Sequence, residues 1–166
     1  MDYARFIKRV ALPAGVSAPR ELVYGDIVAS AINRSHLRDD VRGINASLEL
    51  IRQTRGGEWP TEAVDEDFNF VDLVWHELEF RDGKSFTYAV YNTDSTYLGC
   101  AYLYPMGGRT ELTEELLDYD IDVSWWVTPG AYARGYYPKL YAALQEWLAR
   151  DFAFWRPYYS NRQIPS

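Results

Sequence analysis

Apolar residues recur at steps of three and four in two segments of the chain, and this spacing predicts two amphipathic helices. The first helix follows a capping aspartate, Asp65 or Asp67, and ends at Asp82-Gly83. Its apolar positions are Phe68, Val71, Val74, Trp75 and Leu78. The second helix has the clearest stripe: Tyr137, Leu140, Tyr141, Leu144, Trp147 and Leu148. Pro138 suits the first turn of this helix, because its missing N–H costs no hydrogen bond there.

Between and after these helices the pattern changes to a period of two, which predicts strands. Residues 86–90 and 97–104 form a predicted hairpin around the turn at 92–95. Residues 119–127 form a third strand, with Ile121, Val123, Trp125 and Val127 on one face and Asp120, Asp122, Ser124 and Trp126 on the other. Residues 152–159 form a predicted last strand. The order helix, hairpin, strand, helix, strand predicts an α/β (α+β) fold with a mixed sheet.

The first 64 residues are less regular. Residues 6–16 predict an irregular entry or an edge strand, broken by Pro13 and Gly15. Helical spacing predicts a helix over residues 22–33 despite Gly25. The polar stretch 34–45 predicts a loop, whereas 47–54 suits either a short helix or a strand before the turn at 56–60. We expect one domain over residues 1–166, with a helical N-terminal part (1–64) followed by the helix–sheet part (65–160).

Composition excludes several classes of function. Lys and Arg number 17 against 24 Asp and Glu, so the net charge is −7. An acidic chain disfavours nucleic acid or anionic lipid as the main partner. No apolar stretch is long enough to span a membrane, and the N-terminal residues lack the layout of a secretion signal, so we expect a cytoplasmic location. The one cysteine excludes an intrachain disulfide, and 16% aromatic residues suit a packed sheet or a ligand cleft.

The order of elements resembles the GNAT superfamily of N-acetyltransferases over about residues 65–160. Residues 86–90 with 98–105 look like the central hairpin of that fold, and 122–129 look like its fourth strand entering the acyl-CoA loop. The resemblance implies a mixed, mostly antiparallel sheet flanked by helices, with a C-terminus shorter than the family's. It also implies acetyl-CoA as co-substrate and an amine as acceptor.

The family's cofactor motif is Q/R-x-x-G-x-G/A at the start of a helix, where backbone N–H groups and the positive helix end hold a pyrophosphate. The matching window is residues 132–137, and only Gly135 agrees with the motif. Tyr132 stands where Gln or Arg is expected, and Tyr137 where Gly or Ala is expected. Pro138 removes one further donor. The resemblance implies that Arg134, Gly135, Tyr136 and Tyr137 lie at the pyrophosphate.

Acetyl transfer to an amine needs an oriented thioester and a base for the ammonium proton. By the resemblance, the backbone near Trp126 and Val127 holds the pantetheine arm, although both residues also suit a plain sheet core. Some members of the family place an acidic base where Asp122 stands, so Asp122 is the candidate base. The alternative is that Asp120 and Asp122 face solvent. Two isolated histidines and one cysteine offer no metal-ligand spacing, so we expect no metal site.

Three hypotheses follow. The first is a GNAT-type N-acetyltransferase acting on a small amine. The second is a catalytically inactive GNAT-fold module that binds a small molecule or a protein. The third is an unrelated α/β domain. An exposed sheet edge near residues 152–160 also predicts a homodimer.

Overall fold

Residues 9–166 are described by a computed structural model, and they form a six-stranded sheet in the order β1 to β6. The strands are β1 (Glu21–Tyr24), β2 (Ile27–Ala31), β3 (Phe86–Asn92), β4 (Tyr97–Tyr104), β5 (Ile121–Val127) and β6 (Pro157–Tyr159). Neighbouring strands are antiparallel up to β5, and β6 runs parallel to β5. The sheet is therefore mixed and mostly antiparallel, as predicted.

Helices cover both faces of this sheet. They are α1 (Leu37–Ala46), α2 (Leu48–Thr54), α3 (Glu66–Arg81), α4 (Pro129–Ala133) and α5 (Tyr136–Arg150). One apolar core contains the α5 stripe and the odd-numbered side chains of β5. A second core contains Trp126 with Ile44 of α1, Ile51 of α2 and Leu73 of α3. The predicted division of β5 into two faces is confirmed, and both faces are buried.

Several predicted elements lie where the sequence places them. Asp65 caps α3 by accepting a hydrogen bond from the Phe68 N–H at 2.7 Å. The hairpin of β3 and β4 is present, and α5 begins at Tyr136 with Pro138 in its first turn. The ambiguous stretch 47–54 is helical.

Other predictions are wrong. Residues 22–33 form the hairpin of β1 and β2, because Gly25 takes a positive φ of 56° in a two-residue turn. The stretch 34–45 is a short 3-10 helix followed by α1. The predicted loop after β5 contains α4, capped by Thr128. The last strand is shorter than predicted. The prediction for residues 6–16 lies partly outside the described residues, and the single domain stays a prediction. Among residues 9–166, no helix is long and apolar enough to cross a membrane.

Candidate functional site

The turn between α4 and α5 has the backbone geometry of an anion site. Gly135 adopts a left-handed conformation with φ of 83°, and a side chain built there would meet nothing within 4 Å. The N–H groups of Arg134 and Gly135 donate back to α4 carbonyls. Tyr136 and Tyr137 begin α5, and the first N–H groups of a helix have no acceptor within that helix. The first amides of this 15-residue helix therefore lie at its positive end beside an open turn, where an anion could bind.

Arg134 is an exposed cation beside this turn. Asp26 accepts hydrogen bonds from Lys139 and from the Tyr136 hydroxyl. The hydrogen bond from Lys139, followed by that from Tyr136, lowers the pKa of Asp26. The latter hydrogen bond fixes the Tyr136 hydroxyl at Asp26. Arg134 is exposed, with its guanidinium 5.4 Å from the Tyr136 ring, and from there it can swing towards a phosphate.

The free side of β5 is closed by an asparagine side chain. Pairing of β5 with β6 stops after Val123, whose carbonyl accepts from the Ser160 N–H at 2.9 Å. Asn161 then accepts from the Trp125 N–H at 3.0 Å and donates to the Trp125 carbonyl at 2.9 Å. Asn161 is buried, so one side-chain amide takes the place of a neighbouring strand.

Tyr137 of α5 also packs beside Trp125 and Asn161. Its ring lies 5.2 Å from that of Trp125, and its hydroxyl accepts from the Asn161 amide at 2.8 Å. The hydroxyl also donates to the Gln163 carbonyl at 2.5 Å, and burial raises the pKa of Tyr137 to about 12. Gln163 in turn donates its N–H to the Thr54 carbonyl at 3.0 Å. Residues 160–163, named here the closing segment, thus lie along β5 and are fastened to the end of α2.

Trp126 and Val127 lie on the strand as predicted, but with different backbone orientations. Trp125 turns its N–H and C=O to the closing segment. Because alternate residues of a strand point their backbone groups to the same side, Val127 points that way too, whereas Trp126 pairs with Cys100 of β4. The Trp126 side chain is fully buried and donates to the Tyr102 hydroxyl at 2.8 Å. Of the two, Val127 is the one whose backbone could hold an arm lying along this side.

Asp122 is fully buried, so the alternative that it faces solvent is wrong. One carboxylate oxygen accepts from the Ser160 hydroxyl at 2.5 Å, and the other has no partner among the described residues. Arg109 donates to the same hydroxyl at 2.6 Å. Buried carboxylate oxygens are rarely left unpaired, so this position is unusual. Its role as a base stays a prediction, since Ser160 of the closing segment covers it.

Asp120 has a structural role, because its two oxygens accept from the N–H groups of Trp155 and Arg156, both at 2.8 Å. Cys100 is buried beside Tyr97 and Asp40, and burial raises the pKa of its thiol, which opposes a nucleophilic role. Within residues 9–166, no group of three or more His, Cys, Asp or Glu is arranged to hold a metal ion.

Sequence reasoning missed the residues that close the site. Asn161, Ser160 and Arg109 contact β5 or each other across at least 36 residues of chain. No local spacing signals such contacts, because the pattern of residues 157–166 is too short to define an element.

Comparison with solved structures identifies the fold. A ribosomal L7/L12 alpha-N-protein acetyltransferase, RimL, in complex with coenzyme A aligns with a TM-score of 0.58 and 14% identity, over 77% of this chain and 66% of that one. A GNAT-family acetyltransferase from Bacillus anthracis aligns at 0.57 and 9% identity, over 82% and 70%. Spermidine N-acetyltransferase from Vibrio cholerae, in complex with CoA and spermine, aligns at 0.55 and 12%, over 79% and 68%.

The chain therefore has the GNAT fold, which confirms the predicted architecture. It spans about two thirds of the length of the acetyltransferases named above. No protein-family model matches the chain, and neither does any curated protein.

Proposed function

We propose that the chain is a cytoplasmic N-acetyltransferase that takes acetyl-CoA as co-substrate and acetylates a small-molecule amine. The open turn at Gly135 carries this proposal, because it places the first amides of a helix beside open space within a GNAT fold. The fold neighbours support it in chemical class: two are complexes with CoA, and one of these also holds spermine.

Acetyl-CoA fits one end of the candidate site and not the other. At the pyrophosphate end, the amides of Tyr136 and Tyr137 would bind phosphate oxygens, and Arg134 would add a cation. Along β5, the groups that would pair with the pantetheine arm already pair with Asn161. The Tyr137 ring stands beside them. Binding of the whole co-substrate therefore requires the closing segment to leave β5.

Asp122 is the proposed base for the acceptor amine. When Ser160 moves with the closing segment, the carboxylate loses its only hydrogen-bond donor among the described residues and faces the vacated space. A carboxylate there would accept a proton from an ammonium group directly or through one water.

The second candidate function is a catalytically inactive GNAT-fold module. One observation favours it: the closing segment pairs both backbone groups of Trp125 and the hydroxyl of Tyr137, as a permanent lining would. Such a module would keep the architecture and bind a ligand elsewhere on its surface.

Calorimetric titration of the whole chain with acetyl-CoA, and then with pantetheine, tests the proposal. We expect Arg134→Ala to weaken the binding of acetyl-CoA by about tenfold or more, because it removes one charge-assisted hydrogen bond. The affinity for pantetheine should not change. Arg150→Ala is the matched control, since Arg150 is an exposed arginine at the other end of α5, paired with Glu146.

Release of free CoA thiol in the presence of amines then separates the two candidates. Thiol release with spermidine or another small amine supports the transferase. Binding without thiol release from any amine supports the inactive module. Absence of binding at millimolar acetyl-CoA would overturn the transferase proposal.

A further inference from the structure

A cavity of about 210 Å³ lies between the helices α1 to α3 and the sheet, away from the Gly135 turn. This volume exceeds the roughly 150 Å³ of an engineered cavity that binds benzene, so it is large enough for a small metabolite. Its walls include the aromatic side chains of Trp59, Tyr102 and Tyr104.

Arg55 contributes an unpaired positive charge to this cavity. The residue is only 7% exposed, and its Nε donates to the Ser124 hydroxyl at 3.0 Å. Its guanidinium carbon lies 3.9 Å from the centre of the Tyr102 ring and 5.8 Å from that of Trp59. No carboxylate forms an ion pair with it among residues 9–166. A buried guanidinium stays charged at any relevant pH, so burial without a counter-ion is costly.

Asp40 contributes an unpaired negative charge to the same cavity. It is 3% exposed and accepts hydrogen bonds from the Tyr97 hydroxyl at 2.6 Å and the Asn69 amide at 2.8 Å. Both donors are neutral groups. Asp40 has no ion-pair partner in the described part of the chain, and Arg55 does not reach it.

We propose that this cavity binds a small zwitterion of the amino-acid class, with its carboxylate on Arg55 and its ammonium group towards Asp40. A planar carboxylate matches the forked donors of a guanidinium, and an ammonium matches a carboxylate that has only neutral donors. One ligand carrying both charges would neutralise both buried residues. A ligand with a single charge would leave the other residue uncompensated.

Calorimetric titration of the whole chain with the common L-amino acids, each at millimolar concentration, tests this site. For each amino acid that binds, the panel includes the corresponding acid without the amine and the corresponding amine without the carboxylate. We expect each analogue to bind at least about tenfold more weakly, because each loses one charge-assisted interaction.

Arg55→Lys keeps the charge and removes the forked donors of the guanidinium, so it should weaken binding of the amino acid by about tenfold or more. Arg42→Lys is the matched control, because the exposed Arg42 pairs with Asp39 and does not line this cavity, so binding of the amino acid should be unchanged. Circular dichroism of both variants establishes that they fold. If Arg55→Lys does not fold, Trp59→Ala provides a second test. This substitution removes part of the cavity wall but keeps both charges, and it should also weaken binding of the amino acid.

Three results would overturn the proposal: no amino acid binds, the amine analogue binds as tightly as its amino acid, or neither Arg55→Lys nor Trp59→Ala weakens binding. The site requires no acetyl-CoA, so failure of the proposed acetyl transfer would leave this test intact.

Discussion

Asn161→Ala should strengthen acetyl-CoA binding while weakening the fold. Asn161 makes three hydrogen bonds that hold the closing segment on β5, to the Trp125 N–H, the Trp125 carbonyl and the Tyr137 hydroxyl. Each is worth about 0.5–1.5 kcal/mol net, so the substitution costs the closed state about 2 kcal/mol or more. The open state, which the co-substrate requires, loses nothing comparable because these groups are then free for water or ligand.

A shift of about 2 kcal/mol in the closed-to-open equilibrium corresponds to about thirtyfold tighter apparent binding. Calorimetry at a temperature where both proteins are folded measures this difference, and urea unfolding measures the loss of stability. Unchanged or weaker acetyl-CoA binding by Asn161→Ala would show that the closing segment does not compete with the co-substrate.

Asn45→Ala provides a matched control for this prediction. Asn45 also pairs its side-chain amide with one backbone unit, donating to the Val64 carbonyl at 2.9 Å and accepting from the Val64 N–H at 2.8 Å. This pairing lies away from β5 and from the Gly135 turn. We expect Asn45→Ala to lower stability and to leave acetyl-CoA affinity unchanged.

Three further predictions concern the turn, pH and assembly. Gly135→Ala should cost about 1–2 kcal/mol in urea unfolding, because φ is 83° and no neighbour clashes, whereas Gly130→Ala within α4 should be neutral or stabilising; equal effects would contradict the left-handed turn. Burial lowers the pKa of His36 below its usual 6.5, so the unfolded chain takes up the proton first and stability should fall as pH drops from about 7 to about 5. His36→Gln should flatten that slope in unfolding experiments, and an unchanged slope would assign it to other groups. We expect a homodimer through the β6 edge, where Trp155 is 92% exposed, and light scattering should show that Trp155→Lys weakens it; a wild-type monomer at high concentration would contradict this.

The elements that the sequence predicts correctly are those whose apolar residues follow one pattern along their whole length. Helix α5 has a continuous apolar stripe, and β3 to β5 have strict alternation or long apolar runs. The first hairpin was missed because Leu22, Val23, Ile27 and Val28 satisfy helical and strand spacing equally. Gly25 decides between them only once its positive φ is known.

Helix α1 was missed for a different reason. Its buried positions are Asp40, Gly43 and Ile44. Only Ile44 has a large apolar side chain, so the spacing of apolar residues does not reveal the buried face. Position 43 requires glycine, because a side chain there would lie 2.4 Å from the Tyr97 ring. Asp40 can be buried because Tyr97 and Asn69 donate hydrogen bonds to it. Tertiary contacts of this kind override the local pattern.

The candidate site was predictable only where it depends on one continuous segment. The resemblance placed the turn at Gly135 and the strand that carries Asp122, Trp126 and Val127. It could not place Asn161, which reaches Trp125 from 36 residues away, or the charges of Arg55 and Asp40, which meet one cavity from two helical regions. Such juxtapositions depend on the whole sheet and leave no periodic signal.

We propose that the Gly135 turn binds the pyrophosphate of acetyl-CoA and that the closing segment leaves β5, so that the pantetheine arm can pair with this strand. A crystal structure of the chain grown with coenzyme A tests this directly. We expect the pyrophosphate on the amides of Tyr136 and Tyr137, with Asn161 no longer bonded to Trp125. Coenzyme A bound elsewhere, or bound while Asn161 still pairs with Trp125, would contradict it.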